Sequence, residues 1–369
     1  MKNIIIKNER NYAVMSGNEI SIFDKLPAAI FEVIYIPKRG FSLNEVDNFF
    51  KNHEKLYGEV EATVKKVLNT FDVVEGNLGV LFSGPKGLGK SLTVRNICKE
   101  ALKKGLPVIL VKEHFDGIST FIETICQPSV VVFDEFEKLY RNNRKTDKDD
   151  LEGQDTLLNL FDSFLNGKKL FMLTCNDLSY LSEYLLNRPG RIHYHFRMHR
   201  LSVGEITEYC TDKLNKESHS LIPEICALGT RIPDFSYDML RSIVFELNTY
   251  RCGLDEVKRT LNIDARSKSL FNYTIYFKSG KTEKWFSYID MASKHQRIHW
   301  YEKTNGGDTE YVWVNVSEAK WTGDADGSLL LEGEYIDWSS SKKGNTDHIE
   351  KIIFVPGKGG FISSDNDYD

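Results

Sequence analysis

Three short stretches carry residue types and spacings that could do chemistry. The first is Gly84-Pro85-Lys86-Gly87-Leu88-Gly89-Lys90-Ser91. A glycine, four intervening residues and then Gly-Lys-Ser let the backbone fold tightly enough for several N–H groups to point inward at an anion. Lys90 would reach the outer phosphates of such an anion, and the Ser91 hydroxyl is a hard ligand for Mg²⁺. The binding set read from this stretch is Gly84, Pro85, Lys86, Gly87, Leu88, Gly89, Lys90, Ser91 and Leu92. The second stretch, Val130-Val131-Val132-Phe133-Asp134-Glu135, is an apolar run ending in two carboxylates. Asp134 suits the shell of a divalent cation, and Glu135 could polarise an attacking water. The third, Phe171-Met172-Leu173-Thr174-Cys175-Asn176, ends a similar run in an amide able to orient that water or touch a terminal phosphate.

These stretches need elements to hold them. Gly79–Ser83 reads as a strand, and Val94, Ile97, Cys98 and Ala101 recur at helical spacing after the glycine loop. The alternation continues with a strand at Val108–Val111, a helix near 117–126, strand Val130–Phe133, helix Thr156–Leu165, strand Leu170–Thr174 and a final strand after Arg191. Such alternation predicts an α/β core, a parallel sheet covered by helices. Ahead of it lie short β-like runs at Ile4–Ile6, Tyr12–Met15, Ile20–Phe23 and Ile30–Ile36, and one helical face over Tyr57–Phe71. Residues 200–262 are helical in pattern, whereas beyond 265 the text is β-rich and aromatic, with Trp285, Trp300, Tyr301, Trp313, Trp321 and Trp338 between turn residues. The expected organisation is an N-terminal β-rich element over 1–54, a nucleotide-binding core over 55–199, a helical lid over 200–263 and a β-rich domain over 264–369.

Taken together, Gly84–Ser91, Asp134-Glu135, Thr174-Cys175-Asn176-Asp177 and Leu185-Leu186-Asn187-Arg188-Pro189-Gly190-Arg191 resemble the AAA+ ATPases, and especially the narrower AAA clade. The resemblance implies a P-loop fold that binds ATP with Mg²⁺ and hydrolyses ATP. It implies that Lys90 and Ser91 match Walker A, Asp134 and Glu135 Walker B, and Asn176 sensor 1. Arg188 and Arg191 match arginine fingers reaching into a neighbouring subunit, which implies a homo-oligomeric ring, by analogy a hexamer. His114-Phe115-Asp116-Gly117 is similar to the aromatic-x-Gly pore loop with which AAA unfoldases grip polypeptide, making Phe115 and Gly117 candidates to face a protein client. Tyr57-Gly58 lies where the family contacts adenine, and Arg241 is the sensor 2 candidate. The resemblance covers roughly residues 55–262. Two features depart from the family: His193 stands where an Asp is common, and the lid lacks a Gly-Ala-Asp signature. The stretch Leu26–Phe31 leading to Tyr57-Gly58 also has the look of phage-encoded AAA proteins.

The totals exclude some roles. Net charge is −5 over 369 residues, so nothing in the balance demands nucleic acid or an anionic membrane. The segment Arg141–Glu152 mixes both signs and does not read as a phosphate-tracking loop. A nucleic-acid motor or loader, and an ATP-switched scaffold, are the alternatives to a protein remodeller. Six cysteines, none in a C-x-x-C pair, suit buried thiols. The opening residues hold too short an apolar run for a signal peptide, and no stretch approaches membrane length, so a cytoplasmic location is expected, the host cytoplasm if phage-encoded. His193, His195 and His199 could share a strand face around a metal, but no carboxylate or cysteine pairs with them in the pattern.

Overall fold

The computed structural model describes residues 3–8, 11–16, 21–46, 55–141, 160–161, 167–181, 191–232, 234–261, 263, 268–301, 309–324, 327–337 and 348–357. Contacts divide the chain into two units, one drawn from Met1–His53, Ala62–Phe82 and Ser91–Phe196, the other from Glu54–Glu61, Ser83–Lys90 and Arg197–Asp369.

In the first unit, β1 (Asn3–Asn8) and β2 (Asn11–Ser16) form a separate antiparallel hairpin. Next come β3 (Ile30–Ile36), β4 (Gly40–Glu45), α1 (Val60–Val73), β5 (Leu78–Ser83), α2 (Lys90–Lys103), β6 (Val108–Val111), α3 (Ile118–Glu123), β7 (Ser129–Phe133), α4 (Phe136–Arg141), β8 (Lys169–Cys175) and β9 (Tyr194–Arg197). Seven strands make one sheet in the order β4-β3-β6-β7-β8-β5-β9. The pairs β3–β6, β6–β7 and β7–β8 are parallel, with Ile30 opposite Val108, Val108 opposite Val130 and Val130 opposite Leu170. Every residue of β5, β6, β7 and β8 is buried, the continuous apolar pattern of strands covered on both faces.

Two findings differ from the sequence expectation. Strands β3 and β4 fall within the predicted N-terminal element, yet they hydrogen-bond into the core sheet. That pairing joins residues some eighty positions apart, which no local pattern encodes. The run at Ile20–Phe23 does not give a strand over its described residues 21–23, and Ile22 and Phe23 are exposed. Of the predicted helix Thr156–Leu165, only Leu160 and Phe161 are described, both buried in the core.

The second unit contains α5 (Val203–Lys213), α6 (Ile222–Arg231), α7 (Tyr237–Tyr250) and α8 (Leu254–Thr260). Ser202 and Glu205 close a capping box on α5, satisfying two amide groups at its start. Ile206, Ile225, Phe235, Leu240, Ile243 and Val257 are fully buried between these helices. The β-rich segment follows with β10 (Ser269–Phe277), β11 (Thr282–Ile289), β12 (Gln296–Tyr301), β13 (Thr309–Val314), β14 (Lys320–Trp321), β15 (Leu329–Glu332), β16 (Ile336–Asp337) and β17 (Ile349–Pro356). A five-stranded sheet, β11-β10-β17-β15-β14, and a three-stranded sheet, β12-β13-β16, enclose a core holding Phe271, Tyr273, Trp300 and Phe354. Trp321 packs against the helices as well as this core, and Arg231 on α6 donates from its guanidinium to the Ala319 carbonyl.

Candidate functional site

The glycine loop Ser83–Lys90 lies with the helices of the second unit. Gly84 has φ 136°, and a Cβ there would sit 2.3 Å from the Met198 carbonyl oxygen. Gly87 has φ 79°, with Ser236 and Asp238 side-chain atoms under 3 Å from where its Cβ would fall. Both positions therefore require glycine on conformation and on space. The Lys90 ammonium, largely buried, donates to the carbonyls of Gly84 at 2.5 Å and Pro85 at 2.7 Å. Helix α7 begins at this loop, its Tyr237 amide donating to the Gly87 carbonyl at 3.1 Å, and Arg241 stands exposed one turn further along. Lys86 is exposed, Leu88 is buried, and Pro85 and Gly89 are half-buried.

Tyr57 and Gly58 belong to the same unit. Tyr57 is buried against Tyr209 and Tyr237, ring centroids 4.9 and 6.2 Å away, and its hydroxyl donates to Asp212 at 2.5 Å. Burial and that carboxylate push the Tyr57 phenol well above its ordinary value, while the bond draws Asp212 down. Glu205 lies against Gly58 and accepts from the Tyr237 hydroxyl.

The carboxylate cluster stands in the first unit, where β7 and β8 end side by side. Asp134 Oδ1 accepts from the Ser91 hydroxyl at 3.2 Å and from the Thr174 hydroxyl at 2.6 Å. Thr174 Oγ1 in turn accepts from the Glu135 amide at 2.8 Å. One buried hydroxyl thus fixes both acids. Glu135 takes φ 52°, a left-handed conformation that costs a non-glycine residue about 1 kcal/mol and recurs at functional sites. Its carboxylate pairs with Lys138, which raises the lysine above its ordinary value. Asn176 donates from both its backbone and its side-chain nitrogen to Glu137 Oε1, at 3.0 and 2.5 Å. Glu137 is buried, and its Oε2 has no hydrogen-bond partner among the described residues. Burial, with Glu137 nearby, pushes the Cys175 thiol up to about 12.

The sequence reading did not single out Thr174 as a ligand-orienting residue, nor Glu137 and Lys138. The third carboxylate in Asp134-Glu135-Phe136-Glu137 was the available signal for Glu137. Leu92 is half-buried on α2. Arg191 is buried in its own unit, where its carbonyl so closely opposes Gly79 that a Cβ there would lie 1.9 Å away. Arg188 lies outside the described residues. Phe115 is half-buried, its ring 5.3 Å from Tyr35 and 6.4 Å from Phe41, with Gly117 exposed beside it at the start of α3. Among the described residues no group of three or more His, Cys, Asp or Glu could hold a metal ion, and this covers the His193, His195 and His199 set.

Residues 80–200 match the family described as ATPase family associated with various cellular activities (AAA). Over those residues the chain carries an AAA domain. No curated protein matches the chain. The AAA domain makes it a nucleotide-binding, ATP-hydrolysing P-loop protein. No helix among the described residues is long and apolar enough to cross a membrane.

The residues present fit Mg²⁺. One carboxylate and the Ser91 hydroxyl form a set of hard oxygen donors, and Mg²⁺ takes only one or two carboxylates, completing its shell with water and substrate phosphates. The cradle at Gly84 and Gly87 likewise fits an anion that approaches backbone closely.

Proposed function

We propose that this AAA+ protein hydrolyses Mg·ATP at the subunit interfaces of a homo-oligomeric ring and uses the cycle to remodel or thread a polypeptide client. Thr174 bridging Asp134 and the Glu135 amide carries the catalytic part of the reading. In it, the backbone of Gly84–Gly89 cradles the phosphates, with Lys86, Leu88 and Leu92 completing the loop, and Lys90 neutralises their charge. Ser91 and Asp134 hold Mg²⁺, which when bound offsets charge on the phosphate oxygens. Glu135 orients and deprotonates water, and Asn176, held by Glu137, positions that water or the terminal phosphate. The Glu135 carboxylate is paired with Lys138 on the next turn.

Arg188 and Arg191 are the proposed fingers, an arginine supplied in trans being worth ~10³–10⁵ in rate. Arg191 is buried within its own chain, so reaching a neighbour requires it to leave that packing. Tyr57 and Gly58 are proposed at the adenine and Arg241 as sensor 2. Phe115, supported by Tyr35 and Phe41, is proposed to press on the client beside Gly117.

The test is capture by Glu135→Gln in Mg·ATP from cell extract, a variant expected to hold ATP without turnover. A polypeptide retained by this variant and lost with Phe115→Ala supports the reading. Retention unchanged by Phe115→Ala contradicts the client assignment.

A further inference from the structure

The three-stranded sheet of the β-rich segment has two faces of opposite character. Ile298, Trp300, Val312, Val314 and Ile336 point into the core and are buried. The alternate positions point outward, as the pleat requires. There Arg297 stands opposite Trp313, His299 opposite Tyr311, and Trp313 opposite Asp337.

These outward side chains form a continuous row of planar groups. The His295 ring stacks on Trp313 at 4.7 Å and 17°. The Arg297 guanidinium lies 4.9 Å from the Trp313 centroid and 4.7 Å from that of Tyr311. His299 continues the row, 6.0 Å from Tyr311. His295, Arg297 and Tyr311 are exposed, as is Lys294 beside them in the chain, and Asp337 is the one carboxylate among the described outward residues of this face.

A hydrophobic core does not need a guanidinium shared by two rings on its solvent side. Aliphatic side chains, which a membrane or an apolar peptide would favour, are lacking among the described outward residues. What remains is a row of π-faces with one guanidinium plane, Arg297, among them and the exposed Lys294 ammonium beside it. That combination complements a ligand that is both planar and anionic, and single-stranded nucleic acid offers bases to stack and phosphates to pair in one chain.

We propose that the outer face of β12, β13 and β16 binds single-stranded nucleic acid, with Tyr311 and Arg297 stacking bases and Arg297 and Lys294 meeting phosphates. This surface is independent of the ATP site and of the client reading above. It follows from local segregation of charge, which the net −5 of the chain conceals.

The test uses the full chain and a fluorescein-labelled oligothymidylate, read by anisotropy at several salt concentrations. Tyr311→Ala and Arg297→Gln should each weaken binding about 5- to 100-fold, the range expected for losing one stacked base. Arg297→Gln should also lower the slope of log affinity against log salt by about 0.7. Phe286→Ala on β11 of the other sheet should leave binding unchanged, and Tyr311→Ala should leave ATP hydrolysis unchanged. Both substituted residues are exposed, and Arg297→Gln keeps a polar side chain, so a folding defect in one variant leaves the other to decide. The proposal fails if the parent binds no oligonucleotide at low salt, or if both variants bind as the parent does. It also fails if inorganic polyphosphate competes as well as the oligonucleotide, because a bare anion patch would then suffice.

Discussion

Thr174→Val removes one hydroxyl at nearly constant volume and tests how the two acids are positioned. In the parent that hydroxyl donates to Asp134 at 2.6 Å and accepts from the Glu135 amide at 2.8 Å. A hydrogen bond to a charged group contributes about 1.5–3 kcal/mol, and an amide left buried without a partner costs about 1–3 kcal/mol. Thr174 is buried, so water has little access to replace either bond. Each 1.4 kcal/mol is tenfold in rate, so loss of the Asp134 bond predicts a fall in kcat of about 10- to 100-fold. Because Lys90 and the glycine loop are untouched, nucleotide affinity should hold. The assay is steady-state phosphate release with a thermal melt of each variant, and Thr174→Ser, which keeps the hydroxyl, should restore most of the rate. A parental kcat in a folded Thr174→Val protein would refute the reasoning, since the acids would then be held by something else.

Lys90→Ala should abolish nucleotide binding, read by titration with a fluorescent ATP analogue, and chelation of Mg²⁺ should stop phosphate release. Gly84→Ala should cost the loop its conformation, since the added Cβ meets the Met198 carbonyl at 2.3 Å; a parental affinity for ATP would contradict this. Under native conditions a maleimide should label exposed Cys126 first, while Cys98, Cys175 and Cys210, whose thiols burial pushes up, should react only after unfolding, as peptide mass mapping would show. Burial pushes the Lys169 ammonium down to about 8 although the carbonyls of Ile125, Gln127 and Gly167 all accept from it. Between that value and its ordinary one the unfolded chain binds more protons, so this group's contribution to stability should grow as pH rises from about 8 toward 10.5, measured against Lys169→Met by denaturant melts.

The phosphate loop was legible because everything that defines it is contiguous: an apolar strand, glycines at fixed spacing, then Lys90 and Ser91. The ends of β7 and β8 were legible for the same reason, as apolar runs stopping at Asp134 and Asn176. What escaped is long-range. Thr174 acts on residues some forty positions earlier, and nothing near it in the sequence announces that its hydroxyl faces Asp134. Nothing local in the sequence sets Glu137 apart from the acids before it, and only folding buries it against Asn176. The place of β3 and β4 in the core sheet depends on Ile30 meeting Val108, again a tertiary fact. The aromatic residues of the last domain divide in a way composition could not specify: Trp300 lies in the core, whereas Tyr311 faces out under Arg297 because strand alternation assigns it to the other face.

The most direct test of the central claim is phosphate release from Mg·ATP by the purified parent and by Glu135→Gln, with ATP binding measured on the same samples. The parent should turn over ATP, and Glu135→Gln should bind it while losing roughly 10²- to 10⁴-fold in rate, the usual contribution of a general base. Hydrolysis by Glu135→Gln at the parental rate would contradict the assignment of Glu135, and ATP binding by the parent with no release would contradict the catalytic reading as a whole.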